Sequence, residues 1–195
     1  MTAGRRFAAS LAAAALILTA PADPKAGAAD SALKARTGER LPFFALDTLT
    51  GGRTELAQLR GRILLVHFFA TWCEPCRAEI ASLQQLVGRM QAKPLAVVAV
   101  DAGEADRAVQ YFFATLPVPF PILLDRDRAV TKAWRVDALP TTFVLDGDLV
   151  PQLLAEGNVD WSRPDAEEAL TKLFTSKAAT AKAGPDFAPL GFDKE

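Results

Sequence analysis

A three-layer α/β domain is the fold class this sequence predicts, and three observations carry it. Ile63 to Phe69 and Leu95 to Val100 are nearly unbroken apolar runs with the length of strands buried on both faces. After each of them the apolar spacing changes to that of an amphipathic helix. Two hairpin signals, Thr50-Gly51-Gly52 and Asp146-Gly147-Asp148, lie outside this alternating centre and make the sheet mixed rather than wholly parallel.

In chain order, Leu41 to Leu46 and Arg53 to Leu56 flank the first turn as an N-terminal hairpin. Ile63 to Phe69 is the central strand and carries the lone histidine, His67. From Pro75 onward, Ile80, Leu83, Leu86, Val87 and Met90 recur at helical spacing. Leu95 to Val100 is the next strand, and Ala105, Ala108, Val109, Phe112 and Phe113 mark a second helix. The proline-stiffened stretch LPVPFPILLD leads into a short strand near Ile122 to Leu124, followed by a brief helix over Ala129 to Trp134. Thr141 to Leu145 and Leu149 to Ala155 face each other across the second turn. Ser162-Arg163-Pro164-Asp165 has the form of a capping box, opening a last helix with Ala166, Ala169, Leu170 and Leu173 on one face.

The ends read differently. Arg5 and Arg6, the apolar Phe7 to Ala20 and the small residues of Ala20-Pro21-Ala22 have the order of an export signal, so residues 1–22 are expected to be a signal peptide or an uncleaved anchor. Residues 23–38 read as a linker, 39–176 as the α/β domain and 177–195 as a loose C-terminal tail. The expected location is therefore periplasmic or otherwise extracytoplasmic, where disulfide chemistry is permitted. Half of the 195 residues are apolar, which is material enough for a core. A formal net charge of -1 gives no bulk attraction to nucleic acid, and a monomer is expected.

Both cysteines of the chain lie in FFATWCEPCRAEI, two residues apart. A bond between them closes too short a loop to constrain the unfolded chain, so a structural staple is the weakest reading. The order strand, Thr71-Trp72, Cys73-Glu74-Pro75-Cys76, helix puts Cys73 at the mouth of the helix and Cys76 in its first turn. Pro75 fits that turn because its missing N–H has no helical partner to lose. The unpaired amides and dipole of a helix start favour a thiolate. Cys73 is then the sulfur a client reaches and Cys76 the sulfur that resolves the mixed disulfide. Glu74 between the sulfurs and Glu79 one turn later oppose the thiolate, which points to a reductant rather than a strong oxidant.

LLVHFFATWCEPCRAEI together with VDALPTTFVLD resembles the thioredoxin superfamily, and within it the exported TlpA/ResA-like thiol–disulfide oxidoreductases, over Leu41 to Phe174. The resemblance implies a thioredoxin-like fold with an extra N-terminal hairpin and no bound cofactor. It implies Cys73 as nucleophile, Cys76 as resolving thiol and Pro140 as a cis-proline facing them, with Leu139 and Thr141 beside it and Trp72 as surface aromatic. Glu79 matches the acid this group keeps near its cysteines. Implied partners are disulfide-bearing clients, such as those of cytochrome c or copper-site maturation, and a membrane thiol electron-transfer protein as reductant. His67 departs from the group, which often has Asn there.

Plainer readings stand beside these. His67 is either a core imidazole bonded to backbone or a proton acceptor for Cys76. Glu79 is either a proton-handling group or a solvated carboxylate. Trp72 either covers the sulfurs or docks clients, and Trp134 and Trp161 read as packing. The rival class is a Cu(I) metallochaperone using the same two thiolates. A closed zinc site needs more ligands than two Cys and one His supply, so no structural metal is expected.

Overall fold

The computed structural model describes residues 33–36 and 38–175. The expected leader and C-terminal tail lie outside the described residues, as does most of the expected linker. The strands are β1 (Lys34–Ala35), β2 (Ala45–Thr48), β3 (Arg53–Glu55), β4 (Ile63–Phe69), β5 (Leu95–Asp101), β6 (Ile122–Leu124), β7 (Thr141–Leu145) and β8 (Pro151–Glu156). The helices are α1 (Glu74–Arg89), α2 (Asp106–Thr115), α3 (Ala129–Ala133) and α4 (Pro164–Thr175), with a 3-10 turn at Leu56–Leu59.

All eight strands join one sheet in the order β1-β8-β7-β4-β5-β6-β2-β3. β4 pairs parallel with β5 and antiparallel with β7, so the sheet is mixed about its centre. Side chains alternate across it. Ile63, Leu65 and Phe69 face one apolar cluster built with α1, α2 and α4. Leu64, Val66 and Phe68 face a second, closed by the 3-10 turn, α3 and Phe44. In the second cluster Phe143 meets Phe68 and Trp134 edge to face, while Phe44 and Phe68 lie tilted against Trp134, each with centroids 5.6 Å from it. Trp134 also donates its indole N–H to the Pro42 carbonyl, which anchors the chain leading into the N-terminal hairpin.

The main departures from expectation have local causes. The first hairpin strand begins at Ala45 rather than Leu41, because Pro42 cannot donate to a ladder. Its partner stops at Glu55, where Leu56 turns into the 3-10 helix. β8 begins at Pro151 rather than Leu149, because the Asp146 carboxylate accepts the amides of Asp148 and Val150 and folds that stretch into a turn, with Leu149 at φ 62°. Within the expected linker, Lys34–Ala35 pair antiparallel with Leu153–Leu154 and close that edge of the sheet. The Ser162 hydroxyl donates to the Asp160 carboxylate, and Asp165 pairs with Arg163, so these two residues do not form the anticipated capping box.

Candidate active site

Three strand ends build the site. β4 and β5 run parallel and finish side by side, with Phe69 opposite Asp101. β7 runs the other way and starts at the same end, Thr141 opposite Phe68. The loop leaving β4 carries Thr71, Trp72 and Cys73, and the Leu139–Pro140 peptide that enters β7 is cis. The cysteines and Pro140 therefore share the C-terminal edge of the central strands. The Pro140 carbonyl accepts the Gly157 amide, and the Thr141 hydroxyl donates to the Ala138 carbonyl, which holds this turn from both sides.

Cys73 is the N-cap of α1, and Cys73 and Cys76 form a disulfide with Cα atoms 5.3 Å apart. Pro75 lies in the first turn, and the Cys76 amide points at Cys73 Sγ at 3.3 Å. A sulfur in that position meets a first-turn helix amide, shared with the Cys73 carbonyl, and the positive end of the dipole. Cys76 is fully buried and Cys73 nearly so, at 5 % exposure, while the neighbouring Trp72 stands 74 % exposed. Glu74 extends into solvent with the Arg77 guanidinium 3.9 Å away. Arg77 in turn lies over the Phe112 ring, which ties α1 to α2.

Glu79 is not a solvated carboxylate. It is fully buried and accepts from the Thr142 hydroxyl (2.6 Å), the Trp161 indole (2.9 Å) and the Val159 amide (3.1 Å). His67 Nδ1 lies 3.3 Å from the same carboxylate and 2.9 Å from Thr142 Oγ1. Because the Thr142 hydroxyl gives its proton to Glu79, its oxygen accepts from Nδ1–H. His67 Nε2 is buried without a partner. His67 is thus a core imidazole, but its bonds go to side chains and not to backbone. Burial alone raises the Glu79 carboxyl, yet the His67 charge and the bonds from His67, Thr142 and Trp161 outweigh it and hold the group below its ordinary value.

A second carboxyl pair supports the loop before Cys73. Glu104 accepts the Thr71 amide on one oxygen (2.6 Å) and the Thr71 hydroxyl on the other (2.7 Å). Its own amide donates to Asp101 Oδ2 at 2.9 Å. Asp101 is fully buried, its Oδ1 has no partner, and burial together with the adjacent Glu104 carboxyl pushes it up to about 7. An acid raised from its ordinary 3.8 contributes fully to folding below that value, and the contribution is lost as pH rises through about 7. Asp101→Asn, which cannot ionise, is therefore expected to raise the melting temperature at pH 8 and to raise it less at pH 5. Thermal unfolding at the two pH values checks this, and an equal shift at both refutes it.

The remaining residues sort by position. Trp161, expected as packing, is fully buried but also serves Glu79, while Trp134 packs as anticipated. Thr142, Asp101 and Glu104 were not foreseen as site residues. The proline-stiffened Pro117 to Pro121 segment precedes β6 and so lies at the opposite end of the sheet. There Pro119 to Pro121 line a cavity of about 550 Å³ with Met90 and Leu95. Among the described residues, no cluster of three or more His, Cys, Asp and Glu side chains is placed to hold a metal ion, and no helix is long and apolar enough to cross a membrane.

The chain is similar to thiol-disulfide oxidoreductase ResA of Bacillus subtilis, 38% identical over 56% of this chain and 61% of that protein's length. It is 32% identical to ResA of Bacillus thuringiensis over 63% of this chain and 72% of the relative. Among solved structures it superposes on a thioredoxin-family thiol:disulfide interchange protein from Chlorobium tepidum with a TM-score of 0.61 and 25% identity, covering 72% of this chain and 98% of that one. StoA from Bacillus subtilis shares the fold, at 21% identity and a TM-score of 0.57 over 67% and 96% of the two chains. The model of the AhpC/TSA family matches residues 37–150. With its thioredoxin-like sheet and paired cysteines, the chain belongs to the AhpC/TSA family, alongside the ResA-type thiol–disulfide oxidoreductases.

Proposed function

We propose that this protein is an extracytoplasmic protein-disulfide reductase, and that the Cys73–Cys76 couple at the N-terminus of α1 carries the reaction. The observation that supports it most is the asymmetry of that couple: one sulfur at the helix cap beside an exposed tryptophan, the other sealed beneath it. In the dithiol form the Cys73 thiolate attacks one sulfur of a client disulfide and the other client sulfur leaves as a thiolate. Cys76, deprotonated, then attacks Cys73 Sγ, the second client sulfur leaves, and two electrons have passed to the client. The products are a client dithiol and the Cys73–Cys76 disulfide. A membrane thiol electron-transfer protein restores the dithiol.

Trp72, Leu139, Pro140 and Thr141 form the client-facing rim in this reading, and Glu74 and Pro75 set the poise of the couple. Glu79, one turn beyond Cys76 on the inward face of α1, and His67 of β4 beside it handle the proton that the resolving thiol must lose. The export-type order of residues 1–22 supports a site of action outside the cytoplasm, with clients such as apocytochrome c or copper-site assembly proteins, and the protein acts as a monomer.

A redox titration of the full chain against dithiothreitol, with and without Cu(I), tests the proposal. The expected midpoint lies near that of thioredoxin, about −270 mV. A midpoint near that of a strong oxidant, about −120 mV, overturns the reductive direction. Very tight Cu(I) binding with slow thiol exchange replaces the reading by the metallochaperone.

A further inference from the structure

Thr71 is the residue on which the redox loop hangs. It follows the last residues of β4 and is joined directly to Trp72 and Cys73. Both of its polar donors, amide and hydroxyl, go to the two oxygens of one carboxylate, Glu104. Glu104 is reached from the neighbouring strand end: Ala102 donates to the Phe69 carbonyl, and the turn continues through Gly103 at φ 88°. That turn admits only glycine, because a Cβ there would stand 2.5 Å from Arg128 Cγ. The turn is closed by the Glu104 amide on Asp101.

Asp101 Oδ2 accepts the Glu104 amide at 2.9 Å, which sets the two carboxyls in one short turn, where a bond between them requires one shared proton. The buried Asp101 Oδ1, without a partner among N–H and O–H donors, is where such a proton is wanted. When the proton leaves, two like charges share a buried turn.

We propose that Glu104 is a positioning residue for the redox loop, and that Asp101 and Glu104 form a one-proton latch that holds Thr71, and through it Trp72 and Cys73, in the client-ready arrangement. With one proton shared, Glu104 keeps both bonds to Thr71. Loss of that proton sets the carboxylates against each other, and Glu104, the less deeply buried of the two, gives way and releases Thr71. The importance of the loop to catalysis rests on the reading of Cys73 as nucleophile; the latch itself does not.

The other carboxylates around the turn have partners of their own. Asp125, which follows β6 and donates its amide to the Asp101 carbonyl, accepts from Val130 and from the amide and hydroxyl of Thr131. Asp106 at the start of α2 is paired with Arg126, which also holds Asp47 of β2. Arg128 packs its stem over Gly103. On α1, Arg77 covers Phe112 beside Glu74, and Arg107 of α2 is exposed. His67, on the same face of β4, is engaged by Glu79 and Thr142.

The test uses the disulfide form of the full chain without any client, so that no thiol titrates. The Thr71 amide resonance and its hydrogen-exchange rate are followed from pH 5 to 9 in wild type, Asp101→Asn and Glu104→Gln. In wild type the resonance is expected to move with a midpoint near neutrality, and exchange, corrected for its intrinsic pH dependence, to speed up about tenfold as both bonds are lost. Asp101→Asn donates permanently to Glu104 and is expected to flatten both curves. Glu104→Gln removes the second charge and, because its NH₂ cannot accept, one of the two Thr71 bonds, so exchange is expected to be fast already at pH 5 and flat from there, which keeps the test available should the first variant not fold. A wild-type titration that persists unchanged in either variant overturns the latch. Insulin reduction by wild type is measured separately and tests the redox reading, so each can fail alone.

Discussion

Cys73→Ser is expected to reduce insulin turnover to the uncatalysed background, and Cys76→Ser is expected to stall the protein on its client as a mixed disulfide. The two results differ because the helix start treats the sulfurs differently. Cys73 caps α1 and receives the Cys76 amide, so its thiolate is the one the backbone stabilises, and it borders the exposed Trp72. An alcohol in that place is not ionised near neutral pH and cannot open a disulfide. Cys76 has no exposed surface, so it attacks only what Cys73 has already brought in. Without it the first exchange still runs, and release depends on external thiol. A nonreducing gel should show a client adduct with Cys76→Ser that dithiothreitol dissolves and that is absent with Cys73→Ser. Undiminished turnover in either variant removes the couple from the mechanism.

The central elements were legible because their signals are local. β4 and β6 match their expected bounds, and β5 runs one residue past its apolar stretch into Asp101. The hairpins were legible as pairs but not in length, since Pro42 and the Asp146 turn act through individual backbone bonds that composition does not display. A pairing as short as Lys34–Ala35 offers no period at all.

The site was legible in part for the same reason. Cys73, Cys76 and Pro75 are placed by a strand-to-helix boundary. Glu79 also carried a signal: Cys76, Glu79, Ile80, Leu83 and Leu86 form one inward stripe at i, i+3, i+4, i+7 and i+10, so its burial could have been anticipated from spacing. Its partners could not. Thr142 and Trp161 come from 63 and 82 residues away, brought in by the antiparallel β7 and by the β8–α4 connection. Asp101 and Glu104 follow an apolar strand like any surface turn, and only the parallel register of β4 and β5 shows that they lie beside Thr71.

Glu79→Ala is expected to cost about 3–5 kcal/mol near neutral pH, the range for removing one member of a buried charged pair. It strands the Trp161 indole, the Val159 amide and the Thr142 hydroxyl, and leaves His67 without its acid. For a domain of this size that corresponds to a fall in melting temperature of roughly 10 °C. The isosteric Glu79→Gln separates charge from shape, because every neighbour of the carboxylate is a donor and an amide must turn its NH₂ toward one of them. The folded carboxyl lies below its ordinary 4.5, so its contribution is present above that value and is lost as pH falls through the lower folded one. The gap between wild type and Glu79→Gln should therefore be widest at pH 7 and close in strong acid. His67→Asn takes away the charge that draws Glu79 down; burial then dominates, and the acid loss of stability should begin at higher pH. If proton handling by the pair reaches Cys76, the same variant must also change the pH dependence of disulfide exchange between pH 6 and 8. An altered acid limb with an unaltered exchange profile would confine His67 and Glu79 to holding β4, β7 and α1 together.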